Sequence, residues 1–226
     1  MPVFLALSKL ILKQNIDILV INLYEAQNRY IIKGAYVLPD QGSEGLLSPF
    51  LRKRRIKAAL PFIYGQVLDI GCGSGELAKY LPIDCYTGVD VDQESLNIAK
   101  NKYADHQFQQ ELPSGNQQFD TIVSLAVIEH VDNPEAFLLN LIEYLTTDQH
   151  SRIVLTSPHP ITNQLHYFGS RVKLFSRTGN EEHEKLLNYS DFLHLAEVCG
   201  LYLKGYQRFL FGMNQLVVYQ KEGSSL

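Results

Sequence analysis

Three glycines in five positions, Gly71, Gly73 and Gly75, stand between two carboxylates, Asp69 and Asp90, in the stretches VLDIGCGSG and TGVDVD. Glycines where a strand turns into a helix let a small molecule approach the backbone, and the free amides there attract an anionic group. Asp69 repels a diphosphate at such a turn and suits an ammonium. Asp90 follows the glycine turn at about the 20-residue spacing that places an acid against ribose hydroxyls. The implied visitor carries a charged amino-acid end and a neutral nucleoside. A dinucleotide turn, GxGxxG, would need a third glycine where this chain has Glu76, and a phosphate-binding GK[ST] is absent. Further along, Glu129-His130 offers a candidate acid–base group. The competing reading is that His130 caps and orders its loop.

These groups need elements to hold them. Val67 to Ile70 reads as a short buried strand, Glu76 to Tyr80 as helix, and Tyr86 to Val89 as the next strand. Asp92 caps a helix through about Lys102, with Leu96, Ile98 and Ala99 for its buried side. His106 to Phe108 is a weak third strand and Thr121 to Leu125 a clearer fourth. Asp132 or Asn133, with Pro134 behind it and Glu135 at the capping-box position of Asp132, opens a helix whose Phe137, Leu138, Leu141, Ile142 and Leu145 repeat at helical spacing. Arg152 to Thr156 is a fifth strand, Ser190 caps a helix ending at Gly200, and Leu201–Phe209 with Gln215–Tyr219 forms an antiparallel hairpin. The alternation is that of an α/β protein with a mostly parallel sheet.

Two regions fall outside it: an extension over residues 1–60, before a domain at 61–226, and an insertion at about 157–189. The first holds LRKRRIK, read as the solvated face of a helix, with contact to an acidic substrate as the alternative. Its opening segment MPVFLALSKLILKQNIDILVINLY is apolar, yet Lys9, Lys13 and Asp17 interrupt it before a run of roughly 18 residues that could span a membrane. The reading is an element packed on the domain or on a second subunit, which leaves a homodimer and peripheral membrane contact open. A formal charge of −4 argues against non-specific nucleic-acid binding. Three widely spaced cysteines without a CxxC pair fit reduced thiols in a cytoplasmic protein and offer no metal set. His159, His166 and His183 likewise lack compact ligand spacing.

VLDIGCGSG, YTGVDVD and FDTIVSLAVIEHVDNPEAFL together resemble, in order, spacing and residue type, the class I S-adenosylmethionine-dependent methyltransferases. The resemblance covers about Val67 to Thr156 and extends weakly through the last hairpin. It implies a Rossmann-like fold, a seven-stranded mostly parallel sheet with an antiparallel last strand, and S-adenosyl-L-methionine over the carboxyl ends of the first strands. Carried over, Gly71, Gly73 and Gly75 lie beneath the methionine part, Asp69 places its polar end, Asp90 binds ribose and Val91 packs on adenine. The segment FQQELPSGNQQFD is shorter than in the family, so Gln110 or Glu111 stands in for the acid that meets the adenine amino group. A metal-assisted quinone O-methyltransferase pattern would carry an extra glutamate where this chain has Ala126. His130 lies at the edge of the transfer site. The acceptor is expected to be a small molecule: a sugar, a lipid-linked intermediate or a quinone-like compound. Tyr167, Phe168 and Phe175 in the insertion are candidates to close over it. A nicotinamide-dependent oxidoreductase, disfavoured by Glu76, an RNA methyltransferase resting on the basic run, and a non-catalytic assembly protein on the same fold are the alternatives.

Overall fold

The computed structural model describes residues 30–32, 35–37, 48–113, 117–162 and 186–221. The apolar opening segment and the aromatic and histidine candidates Tyr167, Phe168, Phe175, His166 and His183 lie outside them. Within the N-terminal region a small antiparallel pair, β1 (Tyr30–Ile32) and β2 (Ala35–Val37), precedes helix α1 (Ser48–Ala59). No helix among the described residues is long and apolar enough to cross a membrane.

The rest is one seven-stranded sheet. In chain order it contains β3 (Val67–Ile70), β4 (Tyr86–Val89), α2 (Gln93–Lys102), β5 (Gln107–Gln109), β6 (Thr121–Leu125), α3 (Pro134–Glu143), β7 (Arg152–Pro158), α4 (Tyr189–Val198), β8 (Leu201–Phe209) and β9 (Asn214–Lys221). The strand order is β5-β4-β3-β6-β7-β9-β8, with β9 antiparallel to both neighbours and the other strands pointing one way. The chain therefore starts the sheet at its middle and winds outward in both directions. Such a reversal opens a crevice at the carboxyl ends of β3 and its neighbours, where ligands bind in open α/β sheets.

Each face of the sheet is buried, as parallel strands demand. On one side Leu68, Ile122, Ile153 and Leu155 pack with Phe137, Leu138 and Leu141 of α3 and Phe192, Leu195 and Ala196 of α4. On the other, Val67, Tyr86 and Val123 meet Leu96 and Ala99 of α2 and Ile56 of α1, while Ala59 of α1 lies on Val154, Leu216 and Val218. Helix α1 thus supplies part of the core. Ile98, expected on the buried side of α2, is half exposed.

Local signals fix most element ends. Asp92 accepts from the amides of Glu94 and Ser95 and starts α2 as expected. Asn133, of the two candidates, caps α3 by accepting from the Ala136 amide at 3.1 Å, which leaves no capping box for Glu135. The cap of α4 is Asn188 rather than Ser190, because Asp191 reaches back to the Asn188 amide at 2.7 Å and closes a capping box.

One expectation is overturned beside the glycine turn. Residues Glu76 to Tyr80 do not form an α-helix: Ala78 to Tyr80 make a single 3₁₀ turn. Only Glu76 to Leu81 separate the last glycine from Pro82, and a residue before proline is driven out of the helical region. Leu81 is extended, with φ −123° and ψ 148°. The amides here are satisfied by short-range bonds, Ala78 to the Gly75 carbonyl at 3.0 Å and Tyr80 to the Leu77 carbonyl at 3.0 Å. The turn amides must therefore attract an anion without the dipole of a long helix behind them.

Candidate functional site

Beyond Ile70 the backbone folds back over β4. The amides of Gly71 and Cys72 both donate to the Val89 carbonyl, at 2.8 and 3.1 Å. That requires left-handed backbone, and Gly71, Gly73 and Gly75 have φ of 73°, 51° and 75°. Their surroundings separate their duties. A Cβ on Gly71 would lie 2.4 Å from Val127 Cγ2, and one on Gly75 would lie 2.7 Å from the Phe108 ring and 3.1 Å from Ala99. Gly75 therefore does the close-packing job of the dinucleotide fold's third glycine, one position earlier. A Cβ on Gly73 would meet nothing within 4 Å among the described residues. Packing explains two of the glycines, and the third borders open space at the carboxyl edge.

Glu76 is directed away from that space. It forms an ion pair with Lys102 at the end of α2, with the Tyr103 hydroxyl 3.4 Å away.

Asp90 clamps the turn. Its Oδ2 accepts from the Gly73 amide at 2.6 Å and its Oδ1 from the Asp92 amide at 2.9 Å. Partial burial raises its pKa, and these backbone amides oppose the rise. A carboxylate oxygen has room for a second donor, so each oxygen still has capacity for a hydroxyl. Val91 next to it is half-buried, and the Gln110 amide donates to its carbonyl at 3.0 Å. Gln110 is thereby brought beside Val91, whereas the Glu111 side chain is exposed and its carbonyl accepts from Gln109.

Asp69 lies deeper than its place in the sequence suggests. It sits inside β3, 3% exposed, and its Oδ2 accepts a 2.8 Å hydrogen bond from the Tyr86 hydroxyl. Burial raises its pKa to about 7, against the lowering effect of that hydrogen bond and with a further push from Asp90. Gly88, paired with Asp69 across the strands, makes the arrangement fit: a Cβ there would be 2.9 Å from the Tyr86 hydroxyl and 3.0 Å from the Cys72 sulfur. Burial and the neighbouring Asp69 and Asp90 keep the Cys72 thiol protonated.

At the end of β6, Ala126 holds a positive φ of 62° and its amide donates to the Thr156 carbonyl at 2.8 Å. A non-glycine residue in this region stores strain. The next residues turn through a short 3₁₀ segment, Ile128–His130, that buries Glu129 and leaves His130 partly exposed, its amide bonded to the Val127 carbonyl at 2.9 Å. Residues at the carboxyl ends of adjacent parallel strands β3 and β6 thus border one edge. His159, just past β7, accepts from the Ile161 amide at 3.1 Å through Nδ1.

Three groups of the site, Arg52, Arg55 and Tyr86, are not among those the sequence singles out. Arg52, in the basic run assigned to solvent, reaches the glycine turn, with Nη1 3.5 Å from Ser74 Oγ. Arg55 donates from Nε to Asn214 Oδ1 at 3.1 Å, at the start of β9. Lys53, Arg54 and Lys57 are exposed as expected. The signal was present: residues 52, 55, 56 and 59 share one helical stripe, and Ile56 and Ala59 mark it as inward. The Tyr86 hydroxyl is the third, and in the sequence it reads only as part of a strand.

Known proteins similar to this chain are methyltransferases. A family model described as a methyltransferase domain matches residues 43–200. A ubiquinone biosynthesis O-methyltransferase of Rickettsia canadensis is 33% identical over 91 residues, 35% of this chain and 38% of that protein. One of the same description from Ruegeria is 24% identical over 163 residues, 66% and 64% of the two chains. The chain spans well under half the length of the first and less than two thirds of the second. Among solved structures, magnesium protoporphyrin IX methyltransferase from Synechocystis with bound SAH superposes with a TM-score of 0.59 at 17% identity, covering 80% of this chain and 90% of that one. A methyltransferase from Thermotoga maritima gives 0.57 at 14% identity, over 76% and 88%. With 43–200 matched and the strand order found here, the chain belongs to the methyltransferase-domain family and has the Rossmann-like fold of the class I S-adenosylmethionine-dependent methyltransferases.

Proposed function

We propose that the protein transfers the methyl group of S-adenosylmethionine to a small-molecule acceptor, a hydroxyl of a quinone-like aromatic compound. The observation that carries the cofactor assignment is the open space over Gly73 among the described residues, with Asp90 bonded to the Gly73 amide beside it and Asp69 buried beneath the turn. The O-methyltransferase relatives support the acceptor class. In this reading the turn amides and Arg52 face the methionine carboxylate, and Asp69 answers the ammonium through the turn. Asp90 takes ribose hydroxyls, and Val91 with Gln110 or Glu111 borders adenine. Residues 1–60 form an extension whose last helix joins the core. The insertion at about 157–189, which follows the end of β7 at Pro158, is read as a lid over the acceptor.

S-adenosylmethionine supplies an electrophilic methyl on a sulfonium. The chain's own part is to align the acceptor and exclude water. A phenolic hydroxyl must also lose its proton, and His130 at the site's edge is the proposed base. Replacing His130 by alanine should leave cofactor affinity within about twofold while turnover falls about 100-fold, the lower range for a lost general base. Calorimetry and a methyl-transfer assay separate the two quantities. A variant that loses both in parallel would show His130 to be a loop-ordering residue instead.

Asp90→Ala should cost cofactor affinity about 10- to 100-fold, the worth of hydrogen bonds to a charged acceptor, because it also releases the Gly73 and Asp92 amides. Equilibrium titration with S-adenosylhomocysteine measures it. The assignment as a whole is tested by supplying labelled S-adenosylmethionine with hydroxylated aromatic quinone precursors. Label recovered on an acceptor oxygen supports it, and label found only on nitrogen or carbon would overturn the acceptor class.

A further inference from the structure

The Tyr86–Asp69 pair lies under the glycine turn, out of reach of solvent. Asp69 shares its side of the sheet with Tyr86 and Gly88 of β4 and Val123 of β6, in a layer closed by Ile56 of α1 and by Leu77, Leu96, Ala99 and Phe108. Among the described residues, the charged or titratable groups facing this layer are Asp90, the Cys72 thiol, the Tyr86 phenol, Tyr103 and His106, whose ring meets Tyr86 edge-on at 5.7 Å, with Arg52 of α1 reaching Ser74 in the turn above. Burial holds Cys72 and Tyr86 neutral. Tyr86 can reach Asp69 only because Gly88 leaves the room. A hydroxyl spent on a buried carboxylate is an expensive way to fill a core that phenylalanine could fill, since both groups must be desolvated.

We propose that Tyr86 is a positioning residue for the cofactor: its hydroxyl fixes the Asp69 carboxylate beneath the glycine turn, so that Asp69 answers the cofactor's ammonium. The inference rests on the cofactor assignment above. Without ligand, Asp69 is close to half protonated at neutral pH, because burial outweighs the single hydrogen bond from Tyr86. An ammonium arriving over the turn favours the carboxylate, so the O–H bond of the acid breaks and its proton goes to buffer. Affinity then rises with pH up to about neutrality and levels off, a linkage whose slope is one proton per bound molecule at the acid end. Removing the Tyr86 hydroxyl takes away a hydrogen bond that favours the charged form and moves the profile upward.

The test is calorimetric titration of the wild type and Tyr86→Phe with S-adenosylhomocysteine between pH 5.5 and 7.5, with 5′-methylthioadenosine, which lacks the ammonium, as the second probe. In the wild type, titration at pH 6 in two buffers of different ionisation enthalpy should show release of about one proton per molecule bound. For Tyr86→Phe, affinity for S-adenosylhomocysteine should fall about tenfold at pH 6.5 and recover towards pH 7.5, as a shift of about one pH unit requires. Binding of 5′-methylthioadenosine should show neither effect. A loss equal at every pH, or equal for both probes, would make Tyr86 a packing residue and overturn the inference. So would wild-type binding without proton release, a result independent of how the variant folds. Failure of the wild type to bind S-adenosylhomocysteine at all would instead overturn the cofactor assignment, and the two failures are thereby told apart.

Discussion

Replacing Asp69 by asparagine is expected to stabilise the ligand-free protein at pH 8 and to cripple cofactor binding. The carboxyl group titrates near 3.9 in an unfolded chain and at about 7 in the folded one. Its folded pKa is raised, so its contribution to stability is whole below pH 4 and is lost as pH rises through 7. Three pH units correspond to a loss on the order of 4 kcal/mol. Asparagine has nearly the same shape, keeps an acceptor for the Tyr86 hydroxyl and never ionises. Urea unfolding of the two proteins should therefore give similar stabilities at pH 4, with the variant ahead by a few kcal/mol at pH 8. Other groups titrate in both proteins and cancel in the difference. S-adenosylhomocysteine affinity should fall at least tenfold, the loss expected when a charge-assisted contact goes. A stability difference that does not change with pH would show that Asp69 is not the buried titrating group. Stability surrendered for a charge is the pattern of a site kept for function.

Gly73→Ala should have the opposite profile, little effect on the fold and a large one on the ligand. Alanine at φ 51° costs about 1–2 kcal/mol in backbone strain, and its methyl group would touch nothing among the described residues. The cofactor's methionine chain would occupy that same space, so affinity should drop 100-fold or more while the urea midpoint moves modestly. Gly75→Ala is the control. Its methyl would be driven to 2.7 Å from the Phe108 ring, adding the 1–3 kcal/mol of an overpacked core to the same strain. Unaltered binding by Gly73→Ala would mean the ligand sits elsewhere.

Much of this was legible in the sequence because the informative features are local. The glycine turn, the Asp92 cap and the β6 strand depend on residues a few positions apart, and the strand order follows from an alternating pattern with a short last connection. The site's support was less legible. Arg52 looked like one of a run of solvated cations, and only the stripe it shares with Ile56 and Ala59 shows that it turns inward. Tyr86 read as a strand residue because its partner Asp69 is on a neighbouring strand and its path depends on the absent side chain of Gly88. The missing helix after the turn was decided by Pro82, whose effect falls on the residue before it. Asn188 outcompeted Ser190 as a cap since Asp191, three residues on, could reciprocate. Each miss is a choice made by a partner distant in sequence or by a neighbour that a single-residue preference does not weigh.

The central claim is that S-adenosylmethionine lies on the glycine turn with its ribose against Asp90 and its amino-acid part over Gly73. A crystal structure of the protein with S-adenosylhomocysteine tests it most directly. The ribose hydroxyls should donate to the Asp90 carboxylate within about 3 Å, with the homocysteine chain filling the space beside Gly73. A nucleoside bound away from Asp90, or a homocysteine chain that leaves the space over Gly73 empty, would contradict it.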